Sequence, residues 1–151
     1  MSVGIGYDSH RFAEGRPLIL GGVEIDHELG LSGHSDADVL THAVIDALLG
    51  AAGQGDIGTL FPDDDERWRD ADSIDLLSTV VGTIGGRILN IDATVICEAP
   101  RLGPHRAEME RTLADVTAAR VSVKATTNEG MGWIGRGEGI ACMAVAAVES
   151  E

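Results

Sequence analysis

Lysine is nearly missing from this chain. Lys124 is the only one, and the 11 Lys and Arg residues face 25 Asp and Glu, for a net charge of −14. A field of that sign disfavours non-specific contact with nucleic acid, so no nucleic-acid partner is expected. It also means that a polyanionic ligand can be held only by metal ions or by a locally focused positive site. Aromatic residues make up 3% of the chain, which leaves Val, Ile, Leu and Ala to fill the core. No run approaches the ~20 apolar residues of a membrane span, so no membrane partner is expected. The N-terminal MSVGIGYDSHRF lacks a basic segment followed by an apolar stretch; no export signal is read there, and a cytoplasmic location is expected. Cysteine is limited to Cys97 and Cys142, isolated in apolar strands and expected to be buried and reduced rather than paired. Walker-A spacing and a GxGxxG following a strand are absent, as are a G-x-S-x-G elbow and the His-x-Glu with downstream Cys-x-x-Cys of zinc deaminases.

What the chain does contain is concentrated between Gly33 and Gly58, GHSDADVLTHAVIDALLGAAGQGDIG. Val39, Leu40, Ala43, Val44, Ala47, Leu48 and Ala51 recur at three- and four-residue spacing and predict an amphipathic helix. Ser35 and Asp36 are suited to cap its start, and Gly50 and Gly53 to stop it. On that helix Asp38, His42 and Asp46 fall at i, i+4 and i+8, on one stripe beside the apolar face. Charged and imidazole groups at the margin of a core are costly unless paired or bound to metal. The stretch reads as half of a site.

At 151 residues the chain fits one domain, 1–151, large enough to bury a core. VGIGYDSHRF alternates, with Val3, Ile5 and Tyr7 on one face of a strand and Gly4, Gly6, Asp8 and His10 on the other. PLILGGVEI reads as a hairpin turning at Gly21-Gly22. GDIGTLFPDDDERW shows no strong period, and Asp63, Asp64 and Asp65 are either a solvated run or part of a folded loop anchored by Phe61-Pro62. A second helix follows Ala71-Asp72-Ser73, a strand runs from Ile88 to Cys97, a third helix from about His105 to Val116, and a strand from Val121 to Thr126. The last strand, Ile140 to Val148, is nearly all apolar and expected to be buried on both faces. The order β-β-β-α-α-β-α-β-β predicts an α/β (α+β) domain: a four-stranded mixed sheet, helices on one face and a small hairpin.

Two constellations offer chemistry. Asp8 and His10, two apart on one strand face, can join His42 in a three-ligand site with a vacant fourth position, the arrangement of catalytic zinc. The alternative is that His42 is a half-buried histidine held by Asp38 or Asp46. If the metal is present, one of those carboxylates is expected behind its ring as acceptor for the second N–H. KATTNEG and GRGEG, with Thr126, Thr127, backbone amides and Arg136, suit phosphate; the alternative is a β-connection in which Arg136 pairs with Glu138.

The motifs GYDSHRF, LILGGVEI, GHSDADVLTHA, GDIGTLFPDDD, ADS, NIDATVICEAPRLGPH and VSVKATTNEGMGWIGRGEGIA run end to end, and in this order the chain resembles the 2-C-methyl-D-erythritol 2,4-cyclodiphosphate synthase family. The resemblance implies a homotrimer with active sites between subunits, acting on a cytidine-diphosphate-linked substrate and releasing CMP. It implies zinc on Asp8, His10 and His42, and a second divalent ion, Mg²⁺ or Mn²⁺, held with Glu129. His34 and Thr127 correspond to catalytic groups. Asp56, Ile57 and Gly58 match ribose-side positions; Ser35, Phe61, Asp63 and Asp65 match the methylerythritol side. Cys97, Ala99, Pro100, Arg101, Leu102 and Gly103, with Thr126, match a cytidine pocket supplied by the adjacent subunit. Trp133 and Arg136 match the lining of an axial cavity that takes an isoprenoid diphosphate. Arg101 stands where Lys is usual in the family and Trp133 where Phe or Leu is, so phosphate or cytidine contacts and the cavity's width are expected to differ.

Overall fold

The computed structural model describes residues 1–150. Its frame is a mixed sheet in the order β4-β1-β7-β5-β6, formed by β1 (Ser2–Ala13), β4 (Gly30–Leu31), β5 (Gly86–Ile96), β6 (Arg120–Thr126) and β7 (Gly139–Ser150). All pairings are antiparallel except β5 with β6. The hairpin β2 (Leu18–Leu20) with β3 (Val23–Ile25) forms a separate two-stranded sheet. Five strands replace the expected four. The addition is β4, whose two residues pair with Phe12 and Ala13 and are too few to leave a period-2 signal in the sequence.

The main helix, α1 (Val39–Ala52), lies on the centre of the sheet because β1 offers it glycine. A Cβ on Gly6 would come within 1.9 Å of the Ala43 carbonyl oxygen, and one on Gly4 within 2.0 Å of that of Ala47. Helix backbone and strand backbone are therefore in direct contact. The two periods match: four helical residues and two strand residues each advance about 6 Å. Leu40, Val44, Ala47 and Leu48 are fully buried, joined in one core by Ile91, Val95, Ile140, Cys142 and Ala146 from the same sheet face.

The helix does not begin where expected. Asp38, not Ser35 or Asp36, is the N-cap, accepting from the Thr41 amide, because Ala37 sits at a φ of 58° and turns the chain before the helix starts. Gly53 closes it in the left-handed conformation, while Gly50 stays within the last turn. A one-turn helix, α2 (Ile57–Leu60), and a 3₁₀ turn at Glu66–Trp68 occupy the stretch expected to be aperiodic; both are shorter than the window that periodicity needs. α3 (Ser73–Thr83) packs on α1, and α4 (Arg106–Thr117) packs on β6. α5 (Gly132–Gly135) is a single turn before β7.

The far face of the sheet carries no helix. Val3, Ile5 and Tyr7 are 62%, 66% and 53% exposed, and Met143 and Val145 are 45% and 41% exposed. β7 is central, but its expected burial on both faces holds within one chain only at its start, where Ala141 is buried, since Met143 and Val145 on that face are exposed. Cys97 and Cys142 are buried free thiols, and burial pushes Cys97 up to about 11. No helix among the described residues is long and apolar enough to cross a membrane.

The glycine contact generates a paired prediction. Gly6→Ala should lower stability by about 1–3 kcal/mol, because backbone rather than a side-chain tip must give way. Gly82→Ala, in α3 with nothing within 4 Å of the new methyl, should raise it by about 0.5 kcal/mol. Urea unfolding of both variants checks this; equal effects at the two sites would refute the close-contact account.

Candidate active site

The register of α1 on β1 decides where the first chemistry falls. Strand and helix run in opposite senses, so going from Gly4 to Gly6 along β1 corresponds to going from Ala47 back to Ala43 along α1. Side chains on a helix lean toward its N-terminus, and His42 thereby reaches Asp8 and His10 on the same strand face. Asp8 Oδ2 lies 2.8 Å from His10 Nε2 and 3.2 Å from His42 Nδ1. The two imidazole nitrogens are 3.3 Å apart. Asp8, His10 and His42 are the group of donors that could hold a metal ion among the described residues.

His10 is oriented from behind. Its Nδ1 is 2.7 Å from the Ser32 carbonyl oxygen, which can only accept, so Nδ1 carries the proton and the Nε2 lone pair faces Asp8 and His42. Burial alone would raise the Asp8 carboxyl, but the His10 and His42 imidazoles beside it outweigh that and bring it down to about 2. Burial works against charge on His10 too, yet the Asp8 carboxylate raises that imidazole above its usual value. Both directions express the same demand for positive charge between these groups.

Asp38 and Asp46 do not stand behind His42. Asp38 is fully buried and engages the Gly21 and Gly22 amides at 2.9 and 2.8 Å and the Thr41 amide and hydroxyl at 2.9 and 2.7 Å. As the cap it precedes the helix, so the i, i+4 geometry expected with His42 does not apply to it. Asp46 is spent on the Ile57 amide at 2.8 Å and fixes the corner between α1 and α2. His42 Nε2 instead meets Ser73 Oγ at 2.8 Å and Ser35 Oγ at 3.2 Å. Ser73, at the start of α3, was legible only as a helix-start residue, because its 31-residue separation from His42 leaves no local pattern.

In front of the trio lies a cleft of about 490 Å³, lined by His34, Ser35, Ile57, Gly58, Phe61, Asp63 and Trp68 among others. His34 Nε2 donates to the Asp65 carbonyl at 3.0 Å. Phe61 and Trp68 meet edge to face, 4.9 Å between centroids. Asp65 contributes that carbonyl while its carboxylate pairs with Arg67. Asp56 caps α2, and its hydrogen bonds from Thr59 hold its carboxyl below the usual range. Arg16, unmarked in the sequence, clamps the loop from the rear by donating to the Gly33 and Ser35 carbonyls at 2.7 and 2.5 Å.

The remaining expected residues gather elsewhere, where β5 and β6 end. Cys97 and Leu102 point into this chain's own core, whereas Ala99, Arg101, Gly103, Thr126, Thr127 and Glu129 are exposed and Pro100 is half-buried. None of these lines the cleft in front of the metal-competent trio. Glu98 Oε1 accepts from the Asn128 and Gly130 amides at 3.0 and 3.1 Å and thus holds the turn that carries Glu129, whose φ is 56°. Arg136 pairs with Glu138 at 2.8 Å, as the plainer of its two expected readings has it. Trp133 lines a smaller cleft with Ser9, Arg11 and Glu138.

The YgbB family pattern matches residues 1–149 of the chain. The 2-C-methyl-D-erythritol 2,4-cyclodiphosphate synthase of Rubrobacter xylanophilus is 59% identical, over 97% of this chain and 94% of that protein. The protein of the same name from Salinibacter ruber is 54% identical, over 99% of each. A solved structure of 2C-methyl-D-erythritol-2,4-cyclodiphosphate synthase in its CDP-bound form superposes with a TM-score of 0.87 at 37% identity, covering 97% of this chain and 99% of that one. Matched from end to end in sequence and in fold, the chain belongs to the YgbB family.

Proposed function

We propose that this chain is a cyclising phosphorus–oxygen lyase of the non-mevalonate isoprenoid pathway. It converts 4-diphosphocytidyl-2-C-methyl-D-erythritol 2-phosphate into 2-C-methyl-D-erythritol 2,4-cyclodiphosphate and releases CMP. The observation that carries the reading is the convergence of Asp8, His10 and His42 at one cleft with His34 and Ser35, in a chain more than half identical to synthases of that name.

The trio suits zinc. A tetrahedral ion with bonds of about 2.0–2.1 Å spaces its ligand atoms by about 3.3 Å, close to the 2.8–3.3 Å separations found here. A Zn²⁺ held by Asp8, His10 and His42 would polarise a phosphoryl oxygen as a Lewis acid. The rest falls to the chain. His34 and Ser35, on a loop tied down by Arg16, orient the phosphates. Ile57, Gly58 and Phe61 wall the sugar part and exclude water. The substrate's 2-phosphate oxygen attacks the β-phosphorus as the bond to CMP breaks, an intramolecular step that depends chiefly on positioning. Such a reaction does not require a strong general base.

Glu129 and Thr127 belong to the same reading, in which Glu129 would hold a second cation, Mg²⁺ or Mn²⁺, that neutralises phosphate charge. Three phosphates are too much charge for a chain with a single lysine, which favours two cations. The exposed apolar sheet face formed by Val3, Ile5, Tyr7, Met143 and Val145 supports a homotrimer. The distance of the Ala99–Gly103 and Thr126–Glu129 residues from the cleft supports a cytidine wall supplied by the neighbouring copy. An isoprenoid diphosphate in an axial cavity would have to draw Arg136 away from Glu138. A cytoplasmic location completes the proposal.

Incubation with the cytidyl substrate and Mg²⁺ should yield CMP and a cyclic product lacking the mass of a water, and zinc chelation should stop both. A linear, hydrated product would replace the lyase by a phosphohydrolase. His42→Ala should lose zinc yet remain folded, whereas His34→Ala should keep its zinc and lose about 10²–10³-fold in kcat; metal content and turnover of the two variants separate these roles. Zinc retention should also follow pH. His10 binds metal only when neutral, and its affinity for protons is raised, whereas Asp8, at about 2, stays ionised throughout. Retention is therefore full in alkaline buffer and falls as pH drops through the upper imidazole range. Loss confined to the carboxylate range would contradict the assignment.

A further inference from the structure

Behind His42 stands a pair of residues whose hydrogen-bonding directions are fixed by valence. Ser73 Oγ is within hydrogen-bond reach of Asp36 Oδ1, and Asp36 Oδ2 accepts the Ser73 amide at 3.0 Å. An ionised carboxylate only accepts, so the single hydroxyl proton of Ser73 goes to Asp36. What Ser73 then presents to His42 Nε2, 2.8 Å away, is a lone pair. An unprotonated Nε2 at that distance would set lone pair against lone pair inside a fully buried contact, a costly arrangement in low dielectric. Ser35 Oγ, at 3.2 Å from the same nitrogen, offers a second, longer acceptor.

We propose that Asp36 and Ser73 are positioning residues that hold hydrogen on His42 Nε2 and so leave Nδ1 as the nitrogen offered toward Asp8 and His10. His10 has its hydrogen held on Nδ1 by the Ser32 carbonyl. The two rings thus use different nitrogens, His10 its Nε2 and His42 its Nδ1, and with Asp8 Oδ2 three lone pairs converge within 3.3 Å. That convergence is what a divalent cation requires, and the cation's charge offsets the repulsion among the three. Asp36 has a second reason to be rigid: Oδ1 also accepts the Asp38 amide at 3.1 Å, and its own amide donates to the Ala71 carbonyl at 3.1 Å. The start of α3 is tied in this way to the turn that starts α1. A displacement of either helix would be felt at the metal-facing nitrogen.

This proposal rests on the metal reading of the trio, but its first test needs no metal. In the zinc-stripped wild-type protein, in mildly alkaline buffer, the ¹⁵N spectrum of His42 should show a pyrrole-like Nε2 bearing hydrogen. A pyridine-like Nε2 without hydrogen would overturn the proposal. Ser73→Ala removes the acceptor while keeping the amide that Asp36 binds. It should weaken the hold on the His42 Nε2 hydrogen and lower zinc affinity by about 10- to 100-fold, in a protein that still folds. An unaltered Nε2 signal and unaltered affinity in a folded Ser73→Ala protein would likewise overturn it. Should that variant fail to fold, the wild-type spectrum decides alone. Absence of zinc binding by a wild type that shows hydrogen on Nε2 would refute the metal reading and leave the proton placement standing.

Discussion

The direct contact between the backbone of α1 and that of β1 is the constraint on which the rest depends. Glycine at positions 4 and 6 is what allows it, since a methyl at either would occupy the space of a helix carbonyl oxygen. With any larger residue the helix would stand off the sheet, and His42 would be carried away from Asp8 by a similar distance. Ligand atoms now 3.2 Å apart tolerate little of that. A packing requirement and a chemical one are therefore met by the same two residues, one strand turn before the ligands themselves.

Acidic residues in this chain serve mostly as structural acceptors. Asp38, Asp46, Asp56, Asp65 and Asp72 each take a backbone amide at or beside a helix start. These bonds turn a stretch poor in regular structure, residues 53–72, into a shaped wall for the cleft. Carboxylates suit the task because helix N-termini carry partial positive charge. The net charge of −14 is thus only in part a property of the site: Asp8 alone among these carboxylates faces the other ligand atoms.

Legibility followed the distance over which a signal is written. β1, α1 and β7 were readable because alternation and helical spacing extend across a dozen residues, and Asp8, His10 and His42 were readable as a group because each lies on such an element. β4, α2 and the 3₁₀ turn were not, since two to four residues complete no period. The helix start was misplaced by two or three residues because Ser35, Asp36 and Asp38 are equally good caps by composition, and the choice fell to the left-handed Ala37. That choice removed Asp38 from the stripe on which it had been expected to support His42. The support came from Ser73, and the loop clamp from Arg16, each from a distant part of the chain.

By itself, the sequence determined which chemistry was available: a metal-competent pair on one strand, a histidine on an apolar helix, too few cations to bind phosphates unaided, and a motif order specific to one family. The tertiary structure decided which nitrogen of each imidazole faces the other ligands, which carboxylates are spent on caps, and which residues share a cleft. The physical reason is that residue type and periodicity are carried by neighbours along the chain. A proton's position on a ring is set by whatever acceptor the fold places 2.8 Å away, here from a helix that begins 31 residues later.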